Sequence, residues 1–68
     1  MTKEEKEQVK RYRDDLYREL MKIFAEYPGP YNTEQRAREE AYGMSDEAVM
    51  QQLKYWQDPA TYAEMLTM

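Results

Sequence analysis

Cysteine and histidine are both absent from the chain, and glycine occurs only twice among its 68 residues. Without cysteine there is no disulfide and no thiolate ligand, and without histidine the commonest metal ligand and general base are missing. Gly29 and Gly43 lie too far apart to build a glycine-rich loop that binds phosphate. We therefore expect no metal site, no cofactor and no enzymatic activity.

Long apolar runs are missing too, and none approaches the roughly 18 residues that span a bilayer. The polar start, Met1–Lys6, is unlike a secretory signal. Basic residues become scarce after residue 27: residues 28–68 hold three bases and seven acids, whereas residues 1–27 hold seven of each. The net charge of −4 thus belongs to the second half, which argues against binding to nucleic acid or to an anionic membrane. We expect a cytoplasmic protein.

The remaining candidates for chemistry are hydroxyls and carboxylates. Ser45, the only serine, has no nearby base to activate it, and its position fits a helix N-cap. The acidic pairs are adjacent in sequence, and neighbours on a helix do not face each other. These pairs are Glu39 with Glu40 and Asp46 with Glu47. Neither of them therefore predicts an acid–base dyad.

Apolar residues recur at helical spacing, which predicts an all-α fold with one long N-terminal helix packed on three short helices. We expect one domain over residues 1–68. Its predicted elements are helix 1 at about 3–27, a loop at 28–33, helix 2 at about 34–42, helix 3 at about 46–57 and helix 4 at about 59–67. The predicted inward stripe of helix 1 is Val9, Tyr12, Leu16, Leu20, Ile23 and Tyr27, widened by Tyr17, Met21 and Phe24.

Helix boundaries are marked by capping residues and prolines. Thr2 with Glu5 forms a capping box, and the Tyr27-Pro28 step stops the first helix. The other predicted N-caps are Asn32 or Thr33, Ser45, and Asp58 before Pro59. Gly43 after helix 2 predicts a left-handed C-cap with positive φ, so we expect Gly43→Val to destabilise the fold.

The length of helix 1 suggests self-association. At about 24 residues it is roughly 36 Å long, against about 14–18 Å for each short helix. Its first half is therefore predicted to project, to fray or to find a partner. We expect Val9, Tyr12 and Leu16 to bind a second copy in a homodimer, and the alternative is a monomer whose first two turns fray.

A second surface is predicted on the acidic half. Trp56 falls on the inner stripe of helix 3, whereas Tyr55 lies off it and is the better interface candidate. Tyr31, in the loop, is compatible with either packing or exposure. The predicted partner-binding residues are Tyr55, Glu39, Glu40, Asp46 and Glu47. We interpret the chain as a small, acidic, non-enzymatic module for protein–protein interaction, with a regulatory role.

Two alternatives stay open. The first is an inhibitor that mimics nucleic acid, as phage and mobile-element proteins of this size often do, with carboxylates in place of phosphates. The second is a helix-turn-helix regulator, because Tyr42-Gly43-Met44 with Val49 matches the turn of that motif. Glu39 stands where the motif has a small apolar residue, and Lys54 is the only base of the would-be recognition helix.

Residues 33–67 also faintly resemble a ubiquitin-associated domain. The likeness rests on the loop Tyr42-Gly43-Met44, on Val49 and Leu53, and on the final apolar pair Met65-Leu66. It implies a three-helix module that binds ubiquitin. The loop of that family usually begins with Met and ends with Phe or Tyr, and this loop differs at both positions.

Overall fold

A computed structural model of the chain describes residues 1–55 and 58–67. It contains four helices, α1 (Lys3–Glu26), α2 (Glu34–Tyr42), α3 (Asp46–Tyr55) and α4 (Pro59–Leu66), and no strand among the described residues. Each short helix packs on α1. The predicted all-α fold, one long N-terminal helix packed on three short ones, is confirmed. Both α1 and α4 end one residue earlier than predicted, and the predicted end of α3 at 56–57, with Trp56, lies outside the described residues.

The helix starts follow the capping residues. Thr2 Oγ1 accepts a hydrogen bond from the Glu5 N–H at 3.2 Å, and the Thr2 N–H donates to Glu5 Oε1 at 3.0 Å, which completes the predicted capping box. Thr33, Ser45 and Asp58 accept from backbone N–H groups at the starts of α2, α3 and α4. Local sequence thus determines where each helix begins.

One hydrophobic core follows α1 along most of its length. Its stripe is close to the predicted one, except that Phe24 is buried whereas Ile23 is partly buried and Tyr27 is exposed. The buried members are Val9, Tyr12, Leu16, Leu20 and Phe24 of α1, with Ala37, Ala41, Val49, Tyr62 and Ala63 of the short helices. Fully buried alanines therefore lie in the parts of α2 and α4 that belong to the core.

The short helices lie at different levels along α1. Contacts from Tyr12 to Gln52 and from Arg13 to Asp46 place α3 beside the first half of α1. The second half is covered by α2, where Tyr17 meets Glu34 and Phe24 meets Arg36. The longest dimension of the molecule, 38 Å, is close to the roughly 36 Å of α1 alone. The prediction of a projecting first half is therefore wrong over residues 9–16. Each short helix covers only part of α1, but the short helices lie at different levels and together cover most of its length.

The cap after α2 differs from the prediction. Gly43 has a φ of −82°, in the right-handed region, and the described residues include no glycine with positive φ. Its N–H donates to the Glu39 carbonyl at 2.8 Å. A Cβ on Gly43 would collide with that same carbonyl oxygen. Glycine is needed here because the backbone of residue 43 lies close to the Glu39 carbonyl, and not because the cap is left-handed.

The short helices do not form a unit of their own. Each approaches α1, and in the part of the chain described no two of them bring Cα atoms within 8 Å of each other. The three-helix module implied by the resemblance to ubiquitin-associated domains is therefore not the arrangement adopted by α2, α3 and α4. The same geometry gives the helix-turn-helix hypothesis no support, because α2 and α3 lack the mutual packing of that motif.

Candidate functional site: exposed tyrosines and carboxylates

The three residues predicted for self-association are core residues. Val9 and Tyr12 are each 3% exposed and Leu16 is 0% exposed in the single chain. A second copy cannot reach these side chains unless the fold opens. The predicted self-association surface is therefore corrected, because α3 lies beside the part of α1 that was expected to project, and these three side chains belong to the core.

Tyr12 is held by a polar contact inside this core. Its hydroxyl donates to Gln52 Oε1 of α3 at 3.2 Å. Burial, followed by the nearby Tyr62 and Asp58, raises the pKa of the Tyr12 hydroxyl to about 12. Each of these effects disfavours the phenolate. Tyr12 therefore joins α1 to α3 as a neutral donor and is not poised for acid–base chemistry.

Asp46, predicted to bind a partner, takes part in a junction between helices. Arg13 Nη2 lies 2.9 Å from Asp46 Oδ1 and donates to the Met44 carbonyl at 2.6 Å. The Arg13 guanidinium thus ties α1 to the corner before α3, although its buried Nε has no hydrogen-bond partner. Half of the Asp46 side chain remains exposed, but its charge is already compensated.

The other predicted partner residues are more accessible. Glu39 and Glu47 are exposed, and Glu40 is partly exposed. Glu39 Oε1 accepts from Gln35 Nε2 at 3.2 Å within α2. Tyr55 is 76% exposed at the last residue of α3. These residues can meet a partner without unfolding, and whether they do stays a prediction.

A tyrosine pair joins α1 to α2. The Tyr17 and Tyr42 rings lie 5.6 Å apart between centroids, at 42° to each other. Tyr17 donates to Glu34 Oε1 at 3.0 Å, and Tyr42 donates to Asp14 Oδ1 at 2.8 Å. Burial and the bond to Asp14 raise the pKa of the Tyr42 hydroxyl. Both hydroxyls bond across the helix interface, so this pair has a structural role.

The sequence did not predict that two tyrosines near the end of α1 are exposed. Tyr27, predicted to be buried, is 67% exposed, and Tyr31, left undecided, is 78% exposed. Tyr27 leaves helical geometry, with φ −123° and ψ 69°, so its side chain no longer follows the stripe of α1. Pro28 could have indicated the exposure of Tyr27, because the residue before a proline avoids the helical region and so leaves the stripe of the helix.

Asn32 and Arg36, which we call the loop clamp, tie down the loop backbone at Tyr27 and Gly29. Asn32 Nδ2 donates to the Tyr27 carbonyl at 2.7 Å, and the Asn32 N–H donates to the Gly29 carbonyl at 3.2 Å. Arg36 Nη1 donates to Asn32 Oδ1 at 3.1 Å. The Arg36 guanidinium also lies over the Phe24 ring, 5.5 Å from its centroid. The loop is thereby tied to the core.

The described residues contain no group of three or more acidic, cysteine or histidine side chains that could hold a metal ion. Ser45 Oγ accepts from the Ala48 N–H at 3.2 Å, the capping role predicted for it. None of the helices described is long and apolar enough to cross a membrane. No family model, curated protein or solved structure matches this chain. The surface itself is therefore the only basis for a functional proposal.

Proposed function

We propose that this chain is a small, non-enzymatic regulatory module that binds another protein through its exposed tyrosines. One observation carries the proposal: Tyr27, Tyr31 and Tyr55 each expose two thirds or more of their side chains beside a closed core. Tyrosine presents a large ring with few rotatable bonds and is enriched at protein interfaces. These three tyrosines are not among the buried residues of the core, in contrast to Tyr12 and Tyr62.

The loop clamp supports this proposal energetically. A flexible loop loses conformational entropy when it binds, whereas a loop already held in one shape loses less. Asn32 and Arg36 fix the backbone between Tyr27 and Tyr31 in the free protein. The two tyrosines can therefore act as preorganised anchors.

Affinity capture from a lysate of the native host, followed by quantitative mass spectrometry, tests the proposal. The bait is compared with its Tyr27→Ala/Tyr31→Ala/Tyr55→Ala variant, after circular dichroism shows that both are folded. The matched control replaces three exposed residues of α1, in Lys3→Ala/Gln8→Ala/Arg11→Ala. We expect a protein that the parent and the control retain and the tyrosine variant loses. A protein retained equally by all three baits would contradict a tyrosine-based interface.

The dependence of affinity on salt concentration distinguishes the proposed aromatic interface from nucleic-acid mimicry. An aromatic interface should keep most of its affinity at high ionic strength, whereas carboxylates that replace phosphates should lose theirs. If the captured protein elutes with salt and is lost by Glu39→Gln/Glu40→Gln/Glu47→Gln instead, the mimic is favoured. The homodimer stays a prediction, and light scattering with the same tyrosine variant tests whether these rings mediate it.

A further inference from the structure

A notch opens beside the exposed loop, where the C-terminal ends of α1 and α4 meet. It has a volume of about 450 Å³ and is lined by Tyr27, Asn32, Glu64 and Thr67. Tyr27 is the C-cap of α1 and Thr67 is the C-cap of α4. Two helix ends of the same polarity therefore meet at one small concave site.

The electrostatics of the notch favour a cation. A helix C-terminus carries partial negative charge, and α1 has no basic residue in its last turn to offset it. At the end of α4, Arg36 Nη2 donates to the Leu66 carbonyl at 3.5 Å and offsets part of that charge. Glu64 adds a full negative charge, and no cation among the described residues pairs with its carboxylate. The negative charge of the notch therefore comes from Glu64 and from the end of α1.

Tyr27 selects among cations. Its side chain is 67% exposed, so its ring is accessible to a group that enters the notch. A planar guanidinium stacks on an aromatic ring and donates several hydrogen bonds in a fixed fork, whereas an ammonium does neither as well. A ring beside a carboxylate and the negative end of α1 is thus better matched to arginine than to lysine.

We propose that this notch receives an arginine side chain of the protein partner, with the guanidinium between the Glu64 carboxylate and the Tyr27 ring. The inference rests on the proposed function, because it assumes a protein partner. It adds the chemistry that such a partner must present: an exposed arginine next to a surface that accepts Tyr31.

Titration of the full-length, ¹⁵N-labelled protein with a blocked Gly-Arg-Gly peptide tests the notch directly. The same peptide with citrulline in place of arginine keeps the shape and removes the charge. We expect amide shifts confined to residues around Tyr27, Asn32, Glu64 and Thr67, with the citrulline peptide binding about two- to fivefold more weakly. Shifts spread over the acidic surface, or equal shifts with both peptides, would overturn the proposal.

Matched variants assign the effect to the two residues. Glu64→Gln and Tyr27→Ala should each weaken arginine binding about two- to fivefold, and Tyr27→Phe should preserve it because the ring remains. Glu7→Gln removes the same charge at an exposed site of α1 and is the control. If Glu7→Gln weakens binding as much as Glu64→Gln does, net charge explains the effect and the notch proposal falls. The capture experiment with the tyrosine variant is then unaffected, so a failure of the notch proposal is distinguishable from a failure of the proposed function.

Discussion

The middle of α1 and its loop end use tyrosine in opposite ways. In the middle, the hydroxyls of Tyr12 and Tyr17 of α1 donate to side chains of α3 and α2, and the hydroxyl of Tyr42 of α2 donates to Asp14 of α1. At the loop end, Tyr27 and Tyr31 are mostly exposed although the backbone between them is held by the loop clamp. The first group therefore stabilises the fold, whereas the second contributes little burial. Exposed large rings on a hydrogen-bonded loop are the feature expected of a binding surface.

Leu16→Ala should have the largest effect on the middle of α1. The side chain is fully buried, and we expect the free energy of unfolding to fall by about 3 kcal/mol, a large fraction for a chain this small. Urea denaturation followed by circular dichroism measures the loss. Leu53→Ala, at a partly buried leucine, is the matched control and should cost less. A variant that dissociates a dimer without losing stability would instead place Leu16 between two copies.

Gly43→Ala should have the next largest effect. The new Cβ meets the Glu39 carbonyl, so the cap must shift, at a cost of about 1–3 kcal/mol. Gly43→Val is therefore still expected to destabilise the fold, but because its Cβ meets the Glu39 carbonyl and not because of a left-handed cap. Gly29→Ala is the control at the loop end, because nothing lies within 4 Å of its added Cβ. Equal thermal midpoints for both variants would contradict the close approach at Gly43.

Tyr12→Phe tests the polar contact in the middle of α1. Near neutral pH, we expect it to lower the free energy of unfolding by about 1 kcal/mol, because Gln52 loses its hydrogen-bond donor. The pKa of about 12 in the folded chain exceeds the ordinary value of 10.0, so the folded state holds this proton more tightly. The contribution of this raised pKa to the free energy of unfolding is fully present below pH 10 and is lost as the pH rises to about 12.

Denaturation at several alkaline pH values measures this dependence. The parent should lose stability between pH 10 and 12 more steeply than Tyr12→Phe does. Tyr31→Phe removes one exposed phenol and serves as the control, with the slope of the parent. Parallel curves for the parent and Tyr12→Phe would contradict the raised pKa of the Tyr12 hydroxyl.

Tyr27→Ala/Tyr31→Ala should have the smallest effect on stability. Both side chains are mostly exposed, and the loop clamp contacts only their backbone region, so we expect a change within about 0.5 kcal/mol. The same denaturation measurement detects it. A loss comparable to that of Leu16→Ala would show that the loop tyrosines support the fold, and the contrast between the two regions would disappear.

Sequence alone determined the helical framework, because capping and hydrophobic periodicity are local. Thr2 with Glu5, Ser45 and Asp58 predicted the helix starts, and hydrogen bonds over two or three residues satisfy them. The core stripe through Leu16 followed from the helical period. The exposure of Tyr55 was also predictable, since it lies off the stripe of α3.

Only the tertiary structure decided which of these residues remain accessible. Burial depends on where α3 lies along α1, and this is set by contacts distant in sequence, such as Tyr12 with Gln52 and Arg13 with Asp46. These contacts buried Val9 and Tyr12 and compensated the charge of Asp46. The loop clamp, the notch at Glu64 and the close approach at Gly43 likewise join residues through space. A local pattern specifies the face of a helix, whereas packing between helices decides what covers that face.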